Sequence, residues 1–499
     1  MRGLTERLLA ARGFRADLIA LMAGAFMALS LPPLHILPVL LVSFPLLLGQ
    51  VRVCERPWMA ARRGWWFGFG YHLVGLYWIT EAIMLEAARF WWFVPIAVPS
   101  LSAVLALFIA LPVGVAWYAR PGWPRVLVLA GGWVLADLAR QFIGTGFPWN
   151  PLGSVWCVPG MAGDAMIQIA SLVSVHGMTL LTILIACAPV LRARGRLACV
   201  FALLVWGGFG LARINGPMPP DQNLTVVLVQ GNVEQGQKWD ASLAQSVFER
   251  YLRLTAEGSD TAGEGRRVVV WPETASPYQL GSDHNARAAM AQSTRGVPVL
   301  AGSVRFDETG HPRNTLFALT GEGDIAGLYD KWHLVPFGEY QPGWLPVGIQ
   351  IVPGGGFSRG HGPATLRMTG VPPFAPIICY EIIFPGQIVD EANRPDWIVN
   401  ITNDAWFGTS SGPRQHLAAA RLRAVEEGLP LLRAANTGIS VAFDSFGHEL
   451  TRLDMLQSSF RVVTLPRPVA PTVFSSFGLP IPGILSVAFL ALGLFRRRV

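Results

Sequence analysis

Long apolar runs separated by short polar stretches fill the first 215 residues and return at the C-terminus. A transmembrane helix needs ~20 largely apolar residues to cross the hydrocarbon layer. The runs predict eight spans: Ala16–Leu31, Ile36–Val51, Trp65–Leu85, Phe93–Trp117, Val126–Ile143, Ile167–Leu191, Leu197–Leu211 and Phe477–Phe495. An arginine-rich start before an apolar run also fits a signal peptide, but further spans follow at once. The pattern therefore predicts a polytopic α-helical membrane domain.

Residues 216–470 have a different pattern, in which short β-branched apolar runs alternate with helical spacing. The predicted strands are Leu224–Gln230, Val268–Trp271, Val297–Ala301, Thr315–Leu319, Phe374–Ile378, Trp397–Thr402, Ile439–Phe443 and Phe460–Leu465. Leu243–Glu257 and Gln415–Gly428 are predicted helices. We therefore expect three parts: an N-terminal bundle (1–215), an α/β domain (216–470), and a last span with a basic tail (471–499).

Arginines predict the orientation of the spans. They cluster before the first span, after the second, fourth and sixth, and at the end of the chain. These positions fall on one side of the membrane if the spans alternate, and that side should be the cytoplasm. Arg89 and Arg213 depart from the pattern. Both termini are then cytoplasmic and the α/β domain is extracytoplasmic.

Composition and charge exclude two other classes of protein. With 52% hydrophobic residues, 14% charged residues and a mean hydropathy of +0.41, the chain is too apolar for a soluble or disordered protein. Of its 39 basic and 32 acidic residues, 20 and 25 lie in residues 216–470, which carry −5, whereas the remainder carries +12. The basic excess lies beside the spans, so no nucleic-acid partner is expected.

A single cysteine of the predicted outer domain, Cys379, is a candidate nucleophile. Extracytoplasmic thiols usually pair as disulfides, so one without a neighbour in sequence suggests a reactive group, although a buried inert thiol is the alternative. Cys379 stands where the apolar strand Phe374–Ile378 ends. Reactive groups of open α/β sheets lie at strand ends, and a following helix N-terminus would favour the thiolate.

A lysine and a glutamate are two further candidates. Only Lys238 and Lys331 are lysines, in a chain that otherwise uses arginine. Lys331 lies in a loop rich in polar and aromatic residues, where a compact ammonium could be required; an ordinary surface lysine is the alternative. Glu273 ends the buried-type strand Val268-Val-Val-Trp-Pro-Glu273. A single carboxylate at a strand end is more often simply solvated.

Together these segments resemble the nitrilase superfamily, whose site is a Glu–Lys–Cys triad on an α-β-β-α sandwich. The order of spans and α/β domain further resembles the membrane-embedded apolipoprotein N-acyltransferase family. Supporting segments are Val229-Gln-Gly-Asn-Val233, Lys238-Trp-Asp240, His333-Leu-Val-Pro-Phe-Gly-Glu339, Asn400-Ile-Thr-Asn-Asp-Ala-Trp-Phe-Gly408, Arg433-Ala-Ala-Asn-Thr-Gly438 and Thr145-Gly-Phe-Pro-Trp149. Asp137 departs from the pattern, since a glutamate is expected upstream of Arg140.

The resemblance implies a bacterial inner-membrane enzyme with its catalytic domain in the periplasm. Its acyl donor would be a phospholipid, and its acceptor the α-amine of a lipoprotein's diacylglyceryl-cysteine. Glu273 would take the proton from Cys379, Lys331 would stabilise the oxyanion, and a thioester would form on the cysteine. The resemblance also implies supporting roles for Glu339, Tyr380 and Glu381.

Other residues are candidates for contact with lipid or substrate. Trp239 resembles a mobile-loop residue that meets the substrate, with a plain core tryptophan as the alternative. Phe147 and Trp149 are expected to line a lipid entry, or else to be interfacial aromatics. Asp137 and Arg140 are costly at membrane depth and are spaced to pair on one helical face.

Two other functions remain open at this stage. A membrane-tethered amidase acting on a small amide would share the triad, but it would not need the many spans. A transporter or non-catalytic binding protein is disfavoured because the spans hold few ionisable groups. No metal-ligand cluster or phosphate-cradling glycine loop is apparent, so no metal and no cofactor are expected. A site within one chain needs no partner subunit, so a monomer is expected.

Overall fold

The computed structural model of the chain describes residues 11–85, 87–217, 219–238, 240–343 and 356–495. These residues form two compact units. The helical unit comprises the described residues up to 216, residues 410–418 and the described residues from 472 onwards. The sandwich unit comprises the described residues of 217–409 and residues 419–471.

The helical unit is built from α-helices that follow the predicted apolar runs. They are α1 (Gly13–Met27), α2 (Leu40–Arg52), α3 (Pro57–Gly75), α4 (Ile79–Met84), α5 (Ala87–Phe90), α6 (Val94–Ala116), α7 (Trp123–Phe142), α8 (Met161–Ile167), α9 (Ala170–Ala186) and α10 (Ala193–Ile214). Near the C-terminus the unit continues with α14 (Val473–Phe477) and α15 (Pro480–Phe495). Helices α11 and α12 of the sandwich unit, and α13, whose residues are divided between the two units, are described below.

Three helical stretches among the described residues are long and apolar enough to cross a membrane: Gly13–Ser30, Trp91–Ala116 and Ala193–Ile214. Helices α8 and α9 qualify together, but they are bent by 95° at their junction. The predicted span Trp65–Leu85 is interrupted where α3 ends at Gly75, and the helices at Ile36–Val51 and Phe477–Phe495 are shorter. The predicted span Val126–Ile143 lies on the unbroken 20-residue α7, which contains Arg125, Asp137 and Arg140. The apolar helices are consistent with a membrane protein, and the number of eight spans stays a prediction.

Small residues let helices of this unit approach closely, and a buried charge pair lies within one of them. A side chain at Gly24 would meet the main chain of Phe67, and one at Gly70 would meet the main-chain oxygen of Leu21, so α1 and α3 approach at backbone distance. Arg140 Nη2 donates to Asp137 Oδ1 over 3.0 Å, with both side chains buried. The predicted pairing of these two residues is confirmed.

The sandwich unit contains two six-stranded sheets. Their strands are β1 (Thr225–Gln230), β2 (Arg267–Val270), β3 (Val299–Phe306), β4 (Pro312–Leu319), β5 (Ile325–Asp330), β6 (Leu366–Met368), β7 (Val371–Ile378), β8 (Trp397–Thr402), β9 (Leu431–Ala435), β10 (Ser440–Phe443), β11 (Glu449–Leu453) and β12 (Ser459–Thr464). The first sheet has the order β12-β1-β2-β3-β4-β5, and the second β11-β10-β9-β8-β7-β6. The central strands β1-β2-β3 and β7-β8-β9 are parallel.

An apolar core fills the space between the two sheets, with Val270 and Leu300 from the first and Ile378 and Trp397 from the second. The outer face of the first sheet packs against α11 (Ala244–Thr261) and α12 (His284–Thr294). Helix α13 (Gly412–Glu427) connects the parallel strands β8 and β9. Because the inner face of the second sheet is occupied, this connection must cross its outer face. The predicted α/β class is confirmed.

The structure also differs from the prediction in its details. Strands β5, β6, β9 and β11 and helix α12 were not predicted. Residues 410–418, expected in the α/β domain, group instead with the helical unit. There, Trp149 Nε1 and Asn150 Nδ2 both donate to Gln415 Oε1, over 2.9 and 3.0 Å. These hydrogen bonds join residues more than 260 positions apart, so no local sequence pattern predicts them.

Candidate active site

Cys379 follows β7 directly, but its backbone conformation is not that of a strand. Its backbone φ is 52°, in the left-handed region, and it begins a short 3₁₀ helix, Cys379–Ile383. Non-glycine residues held in this region carry strain of about 1–3 kcal/mol, and such residues are concentrated at functional sites. The neighbouring parallel strand β8 ends beside it, with Ile378 paired to Ile401. The sharp turn thus presents the thiol at the carboxyl edge of the sheet.

Glu273 follows β2 in the first sheet, where the main chain is packed tightly against β3. The main-chain nitrogen of Gly302 donates to Pro272 O over 3.2 Å. A Cβ atom at position 302 would lie 2.5 Å from Pro272 O and 2.7 Å from the Cα of Glu273. Because no side chain fits in that space, glycine at position 302 is required for Glu273 to hold its place.

Two carboxylates, one ammonium and one amide form a buried cluster. Lys331 Nζ donates to Glu273 Oε1 over 3.1 Å and to Glu339 Oε1 over 2.8 Å. Asn314 Nδ2 donates to the same two oxygens, over 2.6 and 3.1 Å. The main-chain nitrogen of Val335 donates to Glu339 Oε2 over 2.8 Å. Lys331 and Asn314 therefore each bridge the two glutamates, and the main chain at Val335 also holds Glu339.

Burial and pairing act in opposite directions on these groups. Burial alone would raise the pKa of Glu273, but the Lys331 and Lys238 ammonium groups and the Asn314 amide outweigh it, so that pKa lies below its usual value. Burial would lower the pKa of Lys331, but Glu273 and Glu339 raise it well above its usual value. In the resting site Glu273 is thus a carboxylate and Lys331 an ammonium.

The Cys379 thiol is protonated in the same resting site. Burial, and then the negative charges of Glu273 and Asp404, raise its pKa to about 12, although the Lys331 ammonium and a hydrogen bond from Thr402 lower it. The expectation that a following helix would favour the thiolate is wrong, because the helix is a single five-residue 3₁₀ turn and because burial and the neighbouring carboxylates raise the pKa of the thiol. The thiol needs a base, and the Glu273 carboxylate is close enough to perturb its pKa.

Glu381 accepts hydrogen bonds from main-chain groups close to both Lys331 and Cys379. Its Oε1 accepts from the Tyr329 hydroxyl (2.9 Å) and from the main-chain nitrogens of Trp332 (2.7 Å) and His333 (3.2 Å). Its Oε2 accepts from Ile378 N over 2.7 Å. Burial raises the pKa of Glu381 to about 7 in spite of these donors. One side chain therefore ties the loop after Lys331 to the strand that carries the cysteine.

Tyr380 is buried beside this loop. Its ring meets Phe384 edge-on, with centroids 5.3 Å apart, and lies 6.5 Å from the His333 ring. The imidazole of His333 in turn stacks on Phe384 at 3.6 Å. The predicted neighbours Glu339, Tyr380 and Glu381 are thus all built into the walls around Cys379, Lys331 and Glu273.

A buried ion pair flanks the thiol from β8 and β9. Arg433 Nη2 donates to Asp404 Oδ2 over 2.7 Å and its Nη1 to Asn400 Oδ1 over 2.5 Å, and neither charged side chain is exposed. A carboxylate oxygen of Asp404 lies within 4.8 Å of Cys379 Sγ. Thr402 Oγ1 donates to Asp404 Oδ1 over 3.2 Å. The motifs around residues 400–408 and 433–438 therefore form one network next to the cysteine.

A third motif joins the same network. Asn436 Nδ2 donates to the main-chain oxygen of Val233 (2.7 Å) and to Asn403 Oδ1 (3.0 Å). Val233 N donates back to Asn436 Oδ1 over 2.9 Å. The segment that leads from β1 towards Lys238 is thereby fastened to both β8 and β9, which belong to the other sheet.

Two predicted residues lie in the other unit, and a third, Trp239, falls outside the described residues. Phe147 and Trp149 belong to the helical unit, where their rings stack with centroids 6.1 Å apart. Trp149 is buried and also packs on Trp78 at 4.5 Å. Trp149 is thus an interior residue of its unit, and the lipid-entry role of both aromatics remains a prediction.

Comparison with known proteins gives one consistent result. Residues 23–188 match the family described as the apolipoprotein N-acyltransferase N-terminal domain, and residues 225–461 match the carbon-nitrogen hydrolases. An apolipoprotein N-acyltransferase from Rhodopseudomonas palustris is 36% identical over 537 aligned positions, covering 100% of this chain and 99% of the relative. The chain belongs to the apolipoprotein N-acyltransferase family. A relative of the same name from Brucella melitensis is 38% identical, with 89% and 88% of the two chains covered.

The solved structures that are similar include an amidase from Nesterenkonia sp., at 18% identity and a TM-score of 0.38, covering 50% of this chain and 93% of the amidase. Family membership confirms the assignment made from the sequence motifs. Nothing in the sequence indicated Asn314 as a site residue, because it lies within an ordinary strand. Lys238 could have been identified, because it is one of only two lysines.

Proposed function

We propose that this chain transfers a fatty acyl group from a membrane phospholipid to the N-terminal amine of diacylglyceryl-cysteine on lipoproteins, through a thioester on Cys379. The observation that carries the proposal is the buried cluster in which Lys331 joins Glu273 and Glu339 beside that thiol. The relatives are named apolipoprotein N-acyltransferases, which supports the same substrates. The activity completes the maturation of lipoproteins.

In the first half-reaction Glu273 accepts the proton from Cys379, and the sulfur attacks the carbonyl carbon of a phospholipid ester. The oxyanion that develops is stabilised by the Lys331 ammonium; removal of one such donor typically costs about 10²–10³ in rate. As the tetrahedral intermediate collapses, the bond between carbonyl carbon and glycerol oxygen breaks. The proton on Glu273 passes to that oxygen, and a lysophospholipid leaves.

In the second half-reaction the acceptor amine attacks the thioester. Glu273 takes a proton from the attacking nitrogen, the carbon–sulfur bond breaks, and the proton returns to the Cys379 thiolate. An amide is formed and the resting thiol is restored. Glu339 and Asn314 hold Glu273 and Lys331 in their relative positions, while Glu381 and Tyr380 hold the walls around the cysteine.

The helical unit is proposed to bring this chemistry to the bilayer as an eight-span bundle. An acyl chain is costly to expose to water, at ~0.8 kcal/mol per CH₂, so the donor must reach the site from within the lipid. We place the chain in the bacterial inner membrane, with the sandwich unit in the periplasm and both termini in the cytoplasm. In this proposal Phe147 and Trp149 line the path of the lipid, and a monomer suffices.

The test is intact mass spectrometry of the purified protein after incubation with phospholipid. Wild type should gain the mass of one fatty acyl chain, removable by hydroxylamine, and Cys379→Ala should gain none. Cys157→Ala is the matched control, since Cys157 is a buried thiol of the helical unit and should leave the adduct unchanged. An adduct on Cys379→Ala would contradict the proposal. A folded wild type that forms no adduct but hydrolyses small amides would favour an amidase.

A further inference from the structure

Both lysines of this chain meet at one glutamate. The chain has 39 basic residues, and all but Lys238 and Lys331 are arginines. Lys331 Nζ contacts the Glu273 carboxylate over 3.1 Å, and Lys238 Nζ donates to the Glu273 main-chain oxygen over 2.8 Å. The two residues come from separate segments, 93 positions apart. Convergence of this kind indicates a shared requirement for a compact ammonium group.

The segment that precedes Lys238 is held in place by hydrogen bonds. Val233 exchanges two hydrogen bonds with Asn436, and Gln235 Oε1 accepts from Asn403 Nδ2 over 2.7 Å. The side chain of Lys238 is buried. With Val233, Tyr251 and Thr274 it lines a small cavity. The ammonium is therefore enclosed by protein rather than solvated.

The charges of the cluster balance only when Lys238 is included. Glu273 and Glu339 contribute two negative charges, and Lys331 contributes one positive charge. Asp404, which is also near the thiol, has Arg433 as its own partner. Without Lys238 the buried group of two glutamates and one lysine would carry −1, and a thiolate beside it would be strongly disfavoured.

Electrostatics links Lys238 to both partners of the proton transfer. Burial lowers the pKa of Lys238 to about 8, and the charges of Glu273 and Cys379 act against this by raising it. The Lys238 ammonium in turn helps to keep the pKa of Glu273 below its usual value. Its charge is therefore coupled to the proton that moves between the thiol and the carboxylate.

We propose that Lys238 is a positioning residue for acyl transfer: it holds the main chain of Glu273 and supplies the second positive charge against which the Cys379 thiolate forms. The inference rests on the function proposed above. A purely structural cap of a carbonyl would not need lysine, because arginine caps carbonyls elsewhere in the unit. Buried Arg287, for example, donates to Gly323 O over 2.9 Å and to Leu280 O over 2.7 Å.

The experiment measures the thiol and the acyl transfer separately on the full-length protein in detergent. The variants are Lys238→Gln, Lys238→Arg and the control Arg287→Gln. The rate of Cys379 alkylation by iodoacetamide is followed by intact mass from pH 6 to 7.5, where Lys238, with a pKa of about 8, is still charged and the rate is proportional to the small thiolate fraction. The rate of acyl-enzyme formation is then followed with a phosphatidylethanolamine donor. Titratable groups that face Lys238 among the described residues are Glu273, Cys379 and Tyr251, and they are unchanged in all three variants.

We expect Lys238→Gln to slow the alkylation of Cys379 at a given pH about tenfold, which corresponds to a rise of about one unit in the pKa of the thiol, and to slow acyl-enzyme formation at least about tenfold. Lys238→Arg should restore the alkylation rate because it restores the charge, but not the rate of acyl-enzyme formation, because a guanidinium is larger than the ammonium it replaces. Arg287→Gln should change neither rate. A Lys238→Gln variant that is alkylated as fast as wild type overturns the inference, even if that variant melts at a lower temperature. Wild type that is alkylated normally but never acylated overturns the proposed function instead.

Discussion

At the scale of single residues, the candidate site contains buried charges that depend on their hydrogen-bonded partners. Arg433 and Asp404 are fully buried as a pair, and Arg433 also binds Asn400. Removing one member of such a pair leaves an uncompensated charge in an apolar surrounding, which costs about 3–5 kcal/mol. A side chain at Gly438 would collide with the Asp404 carboxylate, so the glycine of that motif makes room for the pair.

Asp404→Asn should therefore lower the free energy of unfolding by about 3 kcal/mol, because the amide cannot neutralise Arg433. Denaturant unfolding of the detergent-solubilised protein measures this. Glu449→Gln is the matched control, since its partner Arg452 is one-third exposed and the loss should stay below about 1 kcal/mol. Equal losses in the two variants would show that Asp404→Asn does not leave Arg433 with an uncompensated charge.

At the scale of elements, the helices α1 and α3 depend on glycines at their contact. The main-chain oxygen of Leu21 occupies the place where Gly70 would carry a Cβ atom. Because backbone rather than a flexible side chain stands there, the helices must separate to admit even a methyl group. In lipid or detergent, where close packing replaces the hydrophobic effect between helices, this separation is costly.

Gly70→Ala should lower the melting temperature of the protein and reduce the fraction that is extracted as a monodisperse species. Gly208→Ala, in α10, is the control: no atom outside its own helix lies within 4 Å of the added carbon. Alanine favours helix over glycine by about 0.8–1.0 kcal/mol, so this control should melt at the same temperature or higher. A Gly70→Ala protein as stable as the control would mean that α1 and α3 do not touch there.

At the scale of the whole molecule, stability depends on pH through buried carboxyl groups far from the thiol. Burial, and then the neighbouring charge of Glu426, raise the pKa of Glu427 to about 7, against the opposing effects of Arg394 and Arg423. Below the pKa of the unfolded chain, about 4.3 for glutamate, both states are protonated and there is no penalty. As the pH rises through 7, the folded protein loses up to about 3 kcal/mol relative to an uncharged side chain.

Glu427→Gln removes this dependence, because the amide is neutral at every pH. The difference in unfolding free energy between wild type and Glu427→Gln should thus fall by about 3 kcal/mol from pH 4.5 to pH 7.5. Thermal melts of both proteins across this range, in the same detergent, measure the difference. The contributions of groups that titrate alike in both proteins cancel in it. A difference that stays constant with pH would show that Glu427 is ionised in the folded state.

The sequence by itself determined the properties that depend on neighbours along the chain. Apolar runs and arginine spacing indicated helices that could enter a membrane, and β-branched runs located eight of the twelve strands. Glu273 and Cys379 were predicted as site residues because each follows an apolar strand, and Lys331 because it is one of only two lysines. Family-specific motifs added Glu339, Tyr380 and Glu381.

Tertiary structure alone decided what those residues touch. Asn314 bridges two glutamates from a strand whose sequence is unremarkable, and Asn436 binds Val233 across 203 positions. The protonated state of Cys379 also follows from burial between two sheets, which no single segment encodes. Hydrogen bonds and desolvation depend on distance in space rather than along the chain, so local periodicity predicts the elements of this protein but not the charges that they enclose.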